Sequence, residues 1–416
     1  MNETDVIIIG AGVAGLAAAA ALRRAGRRCV VLEASGRAGG RAWTVAVGED
    51  AFDLGATWLH DADRNALRTL AEAAGDALLD ADGPRRRIMM VEGRPATAAE
   101  EAGYWRAAEA FDRTCHARAA EEPDVAVAEA LAGLRGDPWM DTIETWEAAQ
   151  ISAADPRVFS VRDWSANDLM GRNLWVPGGI GALVQRRLAP LAGEIRFGTP
   201  ATRVAWGGPG VRVETPRGTL QAQGCIVTVS VGVLSAGGIG FDPPLPASHQ
   251  DAIAGLPMGL LTKVALEVPG GERLGIEPGT VVRRRLARSL EPVMSFHFWP
   301  HGAGHIAGFV GGPTAWDLAR AGEGATKAFA RRQLEQAIGA AAVAKVGAIT
   351  VSPWGNDPLY RGAYTYAVPG QAGARGVLGT PLDGRLVFAG EAVCTDGLAG
   401  TVGGSFLSGE RAAGLV

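Results

Sequence analysis

The chain has 416 residues, too many for one simple core and suited to two structural domains. Its 47% hydrophobic and 20% charged residues describe a folded globular protein, and a net charge of −4 with no basic run of five or more residues argues against a nucleic-acid partner. No apolar stretch approaches the ~20 residues of a membrane helix, the start lacks a basic secretory leader, and Cys29, Cys115, Cys225 and Cys394 show no CxxC pair or metal spacing; a cytoplasmic protein with free thiols, no membrane segment and no metal is expected.

Val6-Ile-Ile-Ile9 is a short β-branched run, as a buried parallel strand requires. Gly10-Ala-Gly12-Val-Ala-Gly15 follows, then an Ala-rich helical stretch over 16–22, with Gly26 placed to end it. Cys29-Val-Val-Leu32 reads as the next strand, with Glu33 at its carboxyl end. In a dinucleotide-binding unit Gly10 permits the tight turn, Gly12 lets backbone approach a pyrophosphate, and Gly15 allows close helix–strand packing. The helix amino terminus then faces the phosphates, and Glu33 stands where a carboxylate accepts ribose hydroxyls. Immediately beyond, Ser35-Gly-Arg37-Ala-Gly39-Gly40-Arg41 offers a second close backbone approach and a cation, which suits a diphosphate leading to a flavin and makes FAD the expected cofactor.

The run from Val6 to Arg41, followed by Asp53-Leu-Gly55-Ala56-Thr57-Trp58-Leu-His60, resembles the flavin amine oxidases, a family that includes monoamine oxidases, polyamine oxidases and flavin histone demethylases. Later segments extend the resemblance in order. They are Trp175-Val-Pro-Gly178-Gly179, Thr202-Arg203-Val204 with the hairpin-like Val211–Thr215, the lysine-bearing stretch to Lys263, then Trp354, Gly362-Ala363-Tyr364, Gly390-Glu391 and Thr401-Val402. Residues 80–150 and 270–345 match least.

The resemblance implies an α/β fold in which a Rossmann-like FAD-binding domain is interleaved with an α+β substrate-binding domain. Cofactor pieces are expected at 1–78, 194–258 and 375–416, and substrate-domain pieces at 79–193 and 259–374. Carried over residue by residue, FAD would be met by Gly10, Gly12, Gly15, Glu33, Gly39, Gly40, Arg41, Gly55, Ala56, Thr57, Trp58, Val204, Trp354, Gly390, Glu391, Thr401 and Val402. Ala363 stands where monoamine oxidases carry a flavin-linked cysteine, so FAD is expected to be non-covalent.

Three positions are assigned to substrate. Tyr364 matches one wall of an aromatic cage whose π face orients an amine nitrogen. Thr401 stands where monoamine oxidases place a second tyrosine, which leaves Trp354 and Trp175 as candidate substitutes. His60 could bind an amine or move a proton. Lys263 is the catalytic candidate. A charge is out of character in Leu260-Leu-Thr-Lys263-Val-Ala-Leu266, although a strand-end lysine reaching solvent is the bland alternative. In the family the matching lysine holds a water beside the flavin and is thought to help oxygen react. Asp61 and Asp63 read as a solvated loop, with attraction of a second ammonium group as the alternative. His297, His301 and Cys394 receive no role.

The implied reaction is oxidation of a carbon–nitrogen bond. Hydride passes to flavin N5, the imine hydrolyses, and O2 takes the electrons to give H2O2. An amino-acid oxidase would place an arginine after Gly55-Ala56 to grip a carboxylate. Trp58 and His60 stand there instead, favouring a polyamine or another amine without a carboxylate. The alternatives are a carbon–carbon desaturase or porphyrinogen-oxidase relative, and a non-catalytic FAD-binding scaffold or sensor.

Overall fold

The short β-branched runs pair with one another across large sequence separations. In the computed structural model, which describes residues 4–83 and 86–416, a five-stranded sheet has the order Ile195–Arg196, Cys29–Leu32, Val6–Ile9, Gly224–Val227, Leu386–Phe388. The neighbouring strands are parallel, with Val6 opposite both Cys29 and Gly224. Residues 1–3, the start of the first expected cofactor piece, lie outside the described residues.

One face of this sheet is covered by the Val13–Arg24 and Val402–Ala413 helices, whose small and branched side chains share one core with Val6, Ile8, Val31 and Ile226. Backbone contact sets that packing. A Cβ on Gly15 would sit 1.9 Å from the Gly10 carbonyl oxygen, and one on Gly409 would sit 2.1 Å from that of Ala14. Gly15 therefore acts on the helix, and it is not among the residues lining the cavity described below.

The expected hairpin forms from Arg203–Ala205 and Val211–Thr215, with Val204 opposite Val213. A second, seven-stranded sheet has the order Ile349–Val351, Leu261–Glu267, His305–Gly311, Ser295–Phe298, Val281–Arg284, Arg87–Val91, Arg94–Pro95. Lys263 is the third residue of the Leu261–Glu267 strand and is only 5% exposed, so it does not reach solvent from a strand end. Three two-residue strands, Leu79–Asp80, Trp58–Leu59 and Leu174–Trp175, form a small sheet that sets Trp58 opposite Trp175.

Between 98 and 151 the regular elements are helices joined by turns. Thr97 and Glu100 form a capping box on the Ala98–Ala119 helix, and the Met140–Glu144 helix continues into a π-helical segment, Thr145–Ile151. No helix among the described residues is long and apolar enough to cross a membrane.

A buried ion pair joins sequence-distant parts. Arg375 Nε and Nη2 donate to Asp163 at 2.8 and 2.9 Å, and the two side chains are 5% and 3% exposed. The Ala367 N–H also donates to Asp163, at 2.7 Å. Removing one partner strands a charge in low dielectric. Arg375→Met should therefore lower unfolding free energy by about 3–5 kcal/mol, measured by denaturant titration of the holoprotein.

Candidate active site

The carboxyl edge of the parallel sheet opens into a cavity of about 820 Å³ that continues to the Lys263 strand and on to the π-helical segment. At its first end, Glu33 is held at both carboxylate oxygens, accepting the Ala11 N–H at 2.7 Å and the Ser35 N–H at 2.8 Å. The two glycine turns meet beside it. A Cβ on Gly40 would lie 3.1 Å from the Gly12 Cα, whereas one on Gly12 would meet no protein atom within 4 Å. Gly12 thus presents bare backbone to open space at a helix amino terminus, as an incoming phosphate needs.

Midway, Arg41 Nη1 donates to the Ala363 carbonyl at 2.7 Å and to Glu391 Oε1 at 3.0 Å. The other Glu391 oxygen accepts from the Thr365 hydroxyl at 2.7 Å. Trp354, bonded through Nε1 to the Leu54 carbonyl at 2.8 Å, forms part of the wall with Gly55, Ala56, Thr57 and Gly390.

Lys263 enters from the neighbouring sheet. Its ammonium donates to the Gly55 carbonyl and the Thr57 hydroxyl, and lies 5.4 Å from the Trp58 ring and 5.7 Å from that of Phe309. Burial pulls its pKa down to about 8, with the nearby Asp53 carboxylate opposing the shift.

His60 belongs to a hydrogen-bonded chain. Asp82 accepts the Asn173 backbone N–H at 2.6 Å and its side-chain amide N–H at 2.9 Å. The Asn173 oxygen then faces His60 Nδ1 at 2.7 Å, so Nδ1 carries the proton and Nε2 keeps its lone pair. Burial lowers the His60 pKa, with the Lys263 charge adding to the effect, which favours the neutral ring.

Tyr364 donates its hydroxyl to the Ile151 carbonyl, and burial together with Glu391 pushes its phenol pKa up, so it is neutral. Opposite, the Thr401 hydroxyl is occupied as a helix cap. It donates to the Leu398 carbonyl at 2.7 Å and accepts the Gly404 N–H at 2.9 Å.

The family described as flavin containing amine oxidoreductase matches residues 13–416. The chain belongs to that family. Among its relatives, polyamine oxidase 4 of Oryza sativa subsp. japonica and polyamine oxidase 2 of Arabidopsis thaliana are each 28% identical, covering 99% of this chain and 88% of theirs. A histone demethylase homologue of Arabidopsis thaliana is 29% identical over 99% of this chain and 52% of its own length. In fold, the structure of wild-type putrescine oxidase bound to putrescine superimposes with a TM-score of 0.80 at 23% identity, covering 99% of this chain and 98% of that one.

This flavin amine oxidoreductase has a cavity that fits FAD. Bare backbone at Gly12, the anchored acid at Glu33 and the long path past Arg41 to Lys263 match an extended dinucleotide with a redox-active end. No cysteine lines the cavity, Cys394 is fully buried away from it, and Ala363 occupies the expected attachment point, so FAD is held non-covalently. No His, Cys, Asp and Glu cluster able to hold a metal occurs among the described residues.

Two expected contacts lie elsewhere. Val204 is fully buried between its own hairpin and the five-stranded parallel sheet, while Pro200 and Ala201 line the cavity instead. Trp175 also does not line the cavity. It stands behind Trp58, with ring centroids 6.4 Å apart, and packs edge-on to His301 at 4.2 Å. Residues that motifs did not bring forward do line it, namely His297, Phe309, Trp146, Glu147 and Arg283. His297 packs on Phe309 and Trp58 at centroid distances of 5.0 and 6.2 Å, which completes the aromatic wall.

The chain behind His60 is directly testable. Asn173→Ala should lower kcat/KM for an amine by about tenfold or more, through loss of a fixed imidazole, while flavin absorbance per chain is unchanged. An unaltered kcat/KM would show that His60 needs no orienting partner.

Proposed function

We propose that this flavin amine oxidoreductase oxidises a polyamine or other amine lacking a carboxylate and passes the electrons to O2, giving H2O2. The observation that carries the reading is the Asp82–Asn173–His60 chain, which leaves a neutral imidazole lone pair in the cavity that also holds Lys263 and the aromatic wall. An amine arrives as an ammonium and is oxidised only as the free base. His60 Nε2 can take that proton, and a low-dielectric cavity beside a lysine cation disfavours the charged amine.

When bound, FAD supplies the two-electron acceptor for the hydride that leaves the carbon bearing nitrogen. The chain's own part is placement. Trp58, His297, Phe309 and Tyr364 form a wall that confines the amine's carbon chain and excludes water. Three of the four arginines that line the cavity are engaged by protein groups. Arg41 holds Glu391, Arg375 holds Asp163, and Arg283 donates to the Tyr104 hydroxyl at 3.2 Å while stacked 3.1 Å over Trp146.

Lys263 supports the oxygen step. Two of its three N–H bonds are spent on Gly55 and Thr57, leaving one for a water or for charge developing on dioxygen. Lys263→Met should be reduced by amine normally without oxygen yet reoxidise about 10–100-fold more slowly in stopped-flow mixing with air-saturated buffer. In the unaltered protein reoxidation should slow as pH rises through about 8, because the lysine loses its charge there. Full flavin occupancy with no bleaching by any amine of a broad panel would favour the carbon–carbon or scaffold alternatives.

A further inference from the structure

Arg37, the first arginine of the 35–41 run, is spent on protein groups. Its guanidinium lies 4.1 Å over the Trp43 ring. Nη1 donates to the Ala38 carbonyl at 3.4 Å, and Nη2 donates to the Gly40 carbonyl at 2.7 Å and to the Tyr360 hydroxyl at 2.9 Å. Arg37 is not among the residues lining the cavity, so its charge does not face a cofactor directly.

Tyr360 does line the cavity, and it is buried. Its ring stands edge-on to Trp354 with centroids 5.1 Å apart. Its backbone is fixed as well, since the carbonyl accepts the Ser230 hydroxyl at 2.6 Å and the N–H donates to the Asp357 carbonyl at 3.1 Å. A phenol both accepts and donates. Here the oxygen accepts from Arg37, while the hydroxyl hydrogen meets no acceptor among the described residues. A buried donor in that condition is costly unless a ligand completes it.

Its neighbours fix which part of a ligand it meets. Burial raises the phenol pKa, with the Arg37 cation opposing and Glu33 adding to the rise, so the hydroxyl keeps its proton at neutral pH. Arg41 also acts on it through its charge. Tyr360 thus stands between the acid that marks the ribose end and the arginine at mid-cavity. An extended FAD carries its diphosphate between those two points, beside the bare backbone of Gly12. Acceptance from a cation polarises the O–H and strengthens it as a donor, and a phosphate oxygen is an anionic acceptor.

We infer that the Tyr360 hydroxyl donates to the diphosphate of FAD, and that Arg37, without touching the cofactor, acts on it through this hydroxyl. Tyr360 is then a cofactor-binding residue and Arg37 a positioning residue. Trp43 and Gly40 immobilise the cation before the cofactor arrives, so little further ordering is needed when FAD binds. Neither role depends on which molecule the flavin oxidises.

The FAD-loaded protein tests this on dilution, with released FAD followed by its rise in fluorescence. Tyr360→Phe keeps the ring and should speed release roughly tenfold to a hundredfold. The phosphorus NMR signals of bound FAD should also move in that variant, which a merely structural role for the hydroxyl would not cause. Arg37→Gln should speed release too, but by clearly less when added to Tyr360→Phe than when made alone. Unchanged release, or unmoved phosphorus signals, in Tyr360→Phe overturns the contact. Full additivity of the two substitutions overturns the action of Arg37 through Tyr360.

Discussion

A single line of charge-assisted contacts holds the site together. Arg41 donates to Glu391, Glu391 accepts from the Thr365 hydroxyl, that hydroxyl accepts from Arg375 at 3.0 Å, and Arg375 is clamped by Asp163. All five residues line the cavity, and they come from five separate stretches of the chain. The charges alternate and sum to zero, so this line of polar groups adds no net charge to the middle of the cavity. Each member leaves its neighbour unsatisfied if it is lost, a cost that low dielectric enlarges. Both ends of the cavity depend on this line, since Arg41 sits beside the glycine turns and Thr365 beside Tyr364.

With the centre neutral, the proposed chemistry falls to two basic side chains beside Trp58, neither of them in an ion pair. Lys263 and His60 are both pulled toward their uncharged forms by burial, yet from different starting points. The lysine stays cationic at neutral pH with a pKa of about 8, whereas the imidazole is neutral. In the proposed reaction one group stabilises negative charge while the other accepts a proton, and neither can do the other's work. The asymmetry comes from partners. Carbonyl and hydroxyl acceptors hold the ammonium form of Lys263, and the Asn173 oxygen fixes the proton of His60 on Nδ1.

The sequence discloses features that impose a demand on the backbone or contradict their surroundings. Gly40 is legible because its turn lies too close to Gly12 to admit a side chain, Gly12 because a phosphate needs bare backbone, and Glu33 because an acid closes an apolar strand. Lys263 is legible as a charge inside an apolar alternation. Val204 shows the limit. Its segment is a true hairpin, but position along a strand does not say which residue leaves the sheet toward the cavity, and Pro200 and Ala201 do. Trp175 lies in a two-residue strand whose partner, Trp58, is set by tertiary pairing alone. The π-helical turn at 145–151 has an ordinary helical composition, so nothing in it announces that Glu147 faces the cavity. His297 offered a faint signal, a histidine between two phenylalanines in a buried strand.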